Sequence, residues 1–358
     1  MKAATKIFII RLYIRIIIEF AIGGSILMKG TNGFSSAAIL PYFAQDFVIH
    51  LAVINKSKTT QYAYTNELRM FFQFLCNSIH AFPSSPEGIT ISHIENLSHR
   101  DIEAYLGWAI SVRKNGVRAL ARKQAVIKSL FRYLLREDLT SKDVTIKLDP
   151  INVNQKLPKA LEPNQIADLT DVLQNGTGLS KDQLKYQAYT EKRNYAIFLT
   201  FIGTGLRLSE LCNINLAATN LSKGYFEVNR KGNKETVVYF NSEITDALND
   251  YIQNERPRYA QNKSEALFLS MQGKRISTRA VQNLISKYME ILKTLGHNTE
   301  GFSAHKMRST FATLLLRETD NLAIVQDALG HADPRTTRIY AKVLDEQLKR
   351  SASLIKFK

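Results

Sequence analysis

The stretch that most constrains this chain is Ser303 to Val343, SAHKMRSTFATLLLRETDNLAIVQDALGHADPRTTRIYAKV, because its caps and stops fix three short helices in succession. Ser303 is a good N-cap, and after it Met307, Phe311, Leu314 and Leu315 fall on one apolar face. His305 and Arg308 stand three residues apart and so project from neighbouring points on another face. Asp320 or Asn321 caps a second helix, which buries Leu322, Val325 and Leu329 and stops at Gly330. His331 follows that glycine on a tight turn. Asp333-Pro334 opens a third helix, and Tyr340 falls on its second turn. Singly, each of these residues has an ordinary explanation: a local hydrogen-bonder, a solvated charge, a core ring. The ordered set suits a phosphodiester, with cations and imidazoles holding phosphate oxygens and a phenol attacking phosphorus.

A chain of 358 residues is long enough for two domains with separate cores. Lys and Arg number 48 against 32 Asp and Glu, and a net charge of +16 implies a polyanionic partner, either nucleic acid or an anionic membrane surface. Cys76 and Cys212 lie far apart with no metal-type spacing, which fits a reduced cytoplasmic setting.

Residues 1–39 read as a leader. Its apolar run resembles a membrane span, but Arg11, Arg15 and Glu19 interrupt it, and a charge at a bilayer centre costs about 2.5–3.5 kcal/mol. No clean cleavage site follows. The expectation is a start nearer Met28, the alternative a helix lying on a membrane surface, and no stable membrane partner is expected.

From 40 to 144 the chain reads as an all-helical domain. Leu68, Phe71, Phe72 and Leu75 share a helical face, Pro83 and Pro86 break the run, and Ser98 caps a helix burying Ile102, Tyr105, Leu106 and Ala109. After Gly116, Ile127, Leu130, Phe131 and Leu134 repeat in the same way. No acid stands between Glu103 and Glu137, whereas basic residues crowd the interval. Such a run is often only a solvated face. In so basic a chain, phosphate contact is the stronger reading, and Arg118, Arg122, Lys123 and Lys128, with Lys56 and Lys58, are the candidate DNA contacts.

Residues 145–160 contain Pro150 and Pro158, lack helical periodicity and read as an extended linker. In the second domain, from 161, GTGLRLSELCNI at 203–214 is a glycine turn followed by a helix with Leu208, Leu211 and Cys212 on its buried face. Arg207 stands at the start of that helix, where backbone N–H groups also favour an anion, and Glu210 one turn on is placed to orient it. Two β-rich runs flank Lys231-Gly232-Asn233-Lys234 and signal a hairpin. Ile276-Ser277-Thr278 caps a later helix holding Val281, Leu284, Ile285 and Tyr288.

The H-x-x-R of His305–Arg308, the G-H of Gly330-His331, Tyr340 some nine residues on, and G-x-R-x-S-E around Arg207 together resemble the tyrosine recombinase (phage integrase) family, with the Xer branch nearest in character. Where Xer proteins usually read H-x-L-R-H, this chain has Ser309 in last place. The resemblance implies a mainly α protein: an N-terminal all-helical core-binding (SAM-like) domain over 40–144, then a mostly helical catalytic domain with a small antiparallel β-sheet over 161–345. A C-terminal helix, 346–358, would pass to a neighbouring protomer. It implies Arg207, Lys231, His305, Arg308, His331 and the nucleophile Tyr340 as catalytic residues, with Lys234 the fallback lysine. It implies duplex DNA as substrate, cut through a 3′-phosphotyrosyl intermediate without metal or other cofactor. A homo-oligomer is implied as well, two copies per site and four in synapsis. Chromosome dimer resolution and mobile-element integration or excision are both open roles. The alternatives are type IB topoisomerase-like relaxation and a non-catalytic DNA-binding regulator. The regulator has no reason to keep Tyr340 beside Arg207 and Arg308, and no carboxylate constellation suggests a metal-dependent transposase.

Overall fold

The computed structural model describes residues 39–153, 159–230, 234–260, 264–330 and 340. Residues 1–38 of the leader, Lys231, His331 and the tail after Tyr340 lie outside the described residues. Two compact units divide between residues 154 and 155. Among the described residues, no helix is long and apolar enough to cross a membrane.

The first unit is helical throughout: α1 (Tyr42–Val53), α2 (Lys58–Ser78), α3 (Ile91–Glu95), α4 (His99–Ser111) and α5 (Val117–Arg136). Ser57 opens α2 by accepting from the Thr60 amide at 3.2 Å, and the Asp101 carboxylate accepts from the amide and hydroxyl of Ser98 to fix the start of α4. Phe43, Phe47, Phe71, Phe72, Tyr105 and Phe131 are all but fully buried in one cluster. Each such side chain contributes about 1.5–3 kcal/mol over leaving it in water. The stretch after residue 144 continues this unit instead of leaving it. Leu148 is buried in the same cluster with Ile151 packed on it, and Gln124 and Lys128 donate to the carbonyls of Asp149 and Leu148.

The second unit has α6 (Pro163–Asn175), α7 (Lys181–Thr204), α8 (Leu208–Asn213), α9 (Ser242–Asp250), α10 (Thr278–Thr294), α11 (Ala304–Thr319) and α12 (Leu322–Leu329). Between α8 and α9 lies a small sheet of β1 (Thr219–Asn220), β2 (Tyr225–Arg230) and β3 (Lys234–Tyr239), antiparallel in the order β1-β2-β3. Register runs from Tyr225 opposite Tyr239 to Arg230 opposite Lys234, so the expected hairpin is present. The core gathers on α7, whose Ala196, Ile197, Phe198 and Phe201 are buried with Phe226 of β2 and Tyr288 of α10. The mainly α architecture with one small sheet is therefore as expected.

Candidate active site

Three helix ends build the site. Helix α7 ends at Gly205, in the left-handed region at φ 60°. A Cβ there would overlap the Phe311 ring, so glycine serves both the turn and the close packing of α11. Gly203, expected to share that turn, is instead the penultimate residue of α7. Arg207 then caps α8. The buried Glu210 carboxylate receives its Nη1 at 2.6 Å and its backbone N–H at 2.8 Å. Glu210 orients Arg207 as the spacing predicts.

Helix α11 begins where expected, but the Ser303 hydroxyl accepts no capping bond. One buried stripe is Ala304, Arg308, Ala312 and Leu316, four residues apart, with Met307 beside it, whereas Leu314 and Leu315 are only half-buried. Arg308 therefore lies on the core stripe and not on a separate solvated face. The two alanines leave room for that approach. At 4% exposure, Arg308 has backbone carbonyls in place of water. Its Nη1 donates to the Gly205 carbonyl and its Nη2 to the Leu329 carbonyl, both at 2.5 Å. One planar group thus ties the end of α7 to the end of α12, a task that suits a guanidinium and not an ammonium.

Helix α12 is capped by Asn321, which accepts from the amides of Ala323 and Ile324. It ends at Gly330 with φ 61°. Tyr340 is buried at 5% exposure in a cluster with Ala312, Leu316, Val325 and Leu329. That cluster sets it beside the α11–α12 junction, within electrostatic reach of Arg308. Burial, then the neighbouring Arg207, draws the Arg308 pKa down to about 10, while Glu210 opposes the fall. His305 is exposed as a residue, yet lost hydration on its inner side, followed by Lys306, Arg308 and Arg207, holds its imidazole below the ordinary 6.5.

The structure thus gathers Arg207, Arg308, His305 and Tyr340, with Glu210 as orienting acid. Lys231 and His331 belong to segments outside the described residues. Arg230, just before Lys231, is a group the sequence reading did not name. It shares the inward face of β2 with Phe226 and Val228 and donates to the Ala328 carbonyl at 3.1 Å. Strand alternation carried the signal, since residues 226, 228 and 230 point one way. Tyr288 is fully buried against Phe198 in the core. Ser309 is buried at 4% exposure.

In the first unit, Lys56, Lys58, Arg118 and Arg122 are exposed and Lys128 is half-buried. Lys123 corrects the expectation. It is 2% exposed, with Nζ 2.6 Å from the Glu67 carboxylate, whose other oxygen receives Arg122 Nε at 2.7 Å. The acid that balances this basic run comes from α2, more than fifty residues away, so Lys123 serves the core and not a phosphate.

Two arginines, an imidazole and a phenol meet at one junction, a set whose chemistry suits a phosphoryl group. The Phage integrase family profile matches residues 159–347, and the profile of its N-terminal SAM-like domain matches 43–141. Tyrosine recombinase XerC of Caldanaerobacter subterraneus subsp. tengcongensis is 32% identical over 330 residues, 89% of this chain and 88% of that one. Tyrosine recombinase XerD of Staphylococcus epidermidis is 30% identical over 298 residues, covering 82% and 91%. Among solved structures, XerH bound to palindromic difH in a post-cleavage complex superposes with a TM-score of 0.66 at 22% identity, over 87% of this chain and 84% of that one. A lambda integrase dimer on a COC′ core site gives 0.59 at 15% identity, over 83% and 93%.

The chain belongs to the phage integrase, or tyrosine recombinase, family. It is an enzyme of the site-specific recombinase type, with Xer recombinases among its relatives.

Proposed function

We propose that this recombinase cuts and rejoins duplex DNA with Tyr340 as nucleophile and Arg207 and Arg308 as the phosphate-binding pair. The observation that carries this is the Arg308 guanidinium, fixed between the Gly205 and Leu329 carbonyls beside the buried Tyr340. The Tyr340 oxygen attacks the scissile phosphorus, a P–O(Tyr) bond forms and the bond to the 5′ oxygen breaks. The phenolic proton passes to His305, which is neutral near pH 7 because its pKa is held down. Lys231 supplies the proton for the departing 5′ oxygen, and His331 donates to a non-bridging oxygen. Arg207 and Arg308 stabilise the charge that builds at phosphorus. The 3′-phosphotyrosyl ester conserves the bond energy, so religation by a second 5′ hydroxyl needs neither ATP nor a metal.

The N-terminal unit serves as the core-binding domain and the second as the catalytic domain, with Lys56, Lys58, Arg118, Arg122 and Lys128 toward phosphates. Two copies occupy a site and four form the synapse, an assembly supported by the lambda integrase dimer and tetramer complexes on DNA. The segment 346–358 links protomers, and the enzyme works in the cytoplasm. The chromosomal role and the mobile-element role both fit this chemistry.

The test is covalent capture. Protein isolated from cells under denaturing conditions should carry DNA ending at one sequence, in the presence of excess EDTA. Two copies of that sequence on a plasmid should then recombine. Relaxation without recombination would instead support the topoisomerase reading.

A further inference from the structure

We propose that Arg230 is a positioning residue for Arg308, holding the last turn of α12 from the hairpin side. Its register puts it there. On β2, Phe226 and Val228 face the core, and the next inward position, at the end of the strand, is Arg230. Most inward strand positions carry apolar groups, but here a guanidinium reaches the end of α12. Its Nη2 donates to the Ala328 carbonyl at 3.1 Å, and Arg308 Nη2 takes the very next carbonyl, that of Leu329. Two arginines from different elements therefore grip successive carbonyls at the negative end of one helix.

Gly330 makes the fit specific. A Cβ at Gly330 would overlap Arg230 Nη1, and its φ of 61° disfavours any other residue. The arginine thus fills the space that the glycine leaves.

Stability alone does not account for this placement. Arg230 is half-buried, and its Nε is buried with no hydrogen-bond partner among the described residues. It lies close enough to lower the Arg308 pKa, while burial lowers its own, opposed by Glu210 and reinforced by Arg207. Around Arg308, the like charges of Arg207 and Arg230 outweigh Glu210, an arrangement that is costly in the free protein. It becomes favourable when a phosphate charge enters, and the fixed α12 carbonyls then hold Arg308 at the angle that charge requires. The inference rests on the reading of Arg308 as a phosphate ligand.

The experiment uses the full chain and the captured site, built once with an ordinary scissile phosphodiester and once with a neutral methylphosphonate there. Arg230→Ala should leave DNA affinity and melting temperature near native. Its single-turnover cleavage of the phosphodiester should fall about 10- to 100-fold. On the methylphosphonate, which lacks one non-bridging charge, the gap between variant and native should narrow strongly. Arg230→Lys should keep part of the rate, since one ammonium restores the Ala328 bond but not the fork. It should show the same narrowing, which covers the case of an unstable alanine variant. An equal gap on both substrates overturns the role. Arg308→Ala runs alongside. If the methylphosphonate fails to relieve Arg308→Ala, the reading of Arg308 falls and this inference with it. If it relieves Arg308→Ala but not the Arg230 variants, only the role given to Arg230 falls.

Discussion

Replacing Arg308 by lysine separates the geometry of its fork from its charge. Arg308 is almost fully buried and meets two backbone carbonyls through two different nitrogens. A lysine offers one nitrogen, so either the Gly205 or the Leu329 carbonyl loses its donor. A charge-assisted hydrogen bond lost in the interior costs about 1.5–3 kcal/mol, which sets the expected destabilisation of the catalytic unit. The cost to the reaction is larger. Losing one preorganised donor at a developing oxyanion lowers the rate about 10²–10³-fold, or roughly 2.7–4 kcal/mol of barrier. Untying α7 from α12 also frees the cluster that seats Tyr340. Urea titration reads the first effect, and single-turnover cleavage at saturating DNA reads the second. DNA affinity should barely change, because exposed basic residues carry most of it. Cleavage close to the native rate in a folded Arg308→Lys protein would refute the argument, since charge alone would then suffice.

Three further outcomes follow from the same contacts. Glu210→Gln keeps an acceptor for the Arg207 side chain but removes the carboxylate, so cleavage should fall while the fold persists; an unchanged rate counts against orientation of Arg207 by Glu210. The His305 pKa is depressed, so the ring stays neutral as pH falls through 6.5, and the acid limb of the cleavage profile should lie below that value and vanish in His305→Gln; a limb above 6.5 contradicts the assignment. Glu67→Ala strands Lys123 as an uncompensated buried cation, costing the N-terminal unit about 3–5 kcal/mol, and a melting curve of that unit left unchanged would show that the pair is not needed.

Features set by neighbouring residues were legible in the sequence. Ser98, Gly116, Ser277, Asn321 and Gly330 mark helix ends as expected, because capping and left-handed stops are decided within a turn of chain. The hairpin and the Arg207–Glu210 pair are local in the same sense. Features set by distant packing were not. Glu67 and Lys123 are 56 positions apart, so a basic run without nearby acids points to phosphate contact at Lys123, where the fold supplies a buried carboxylate instead. The sequence pattern puts Arg308 on a side face because its hydrocarbon neighbours define the expected stripe. In the fold, the arginine shares a buried stripe with the small alanines at 304 and 312. Residues 145–160 lack helical periodicity, yet the first of them pack on α5 through Leu148 and the Asp149 carbonyl. Arg230 went unnamed because an inward strand position says nothing of the helix end it meets.

The measurement nearest to the central claim is the identity of the residue that carries the DNA. A nicked suicide substrate trapped on the protein, digested and sequenced by mass spectrometry, should place the phosphodiester on Tyr340. Tyr340→Phe, which keeps a ring among Ala312, Leu316, Val325 and Leu329, should bind the same DNA and yield no adduct. An adduct on any other residue, or one that persists in Tyr340→Phe, would contradict the account.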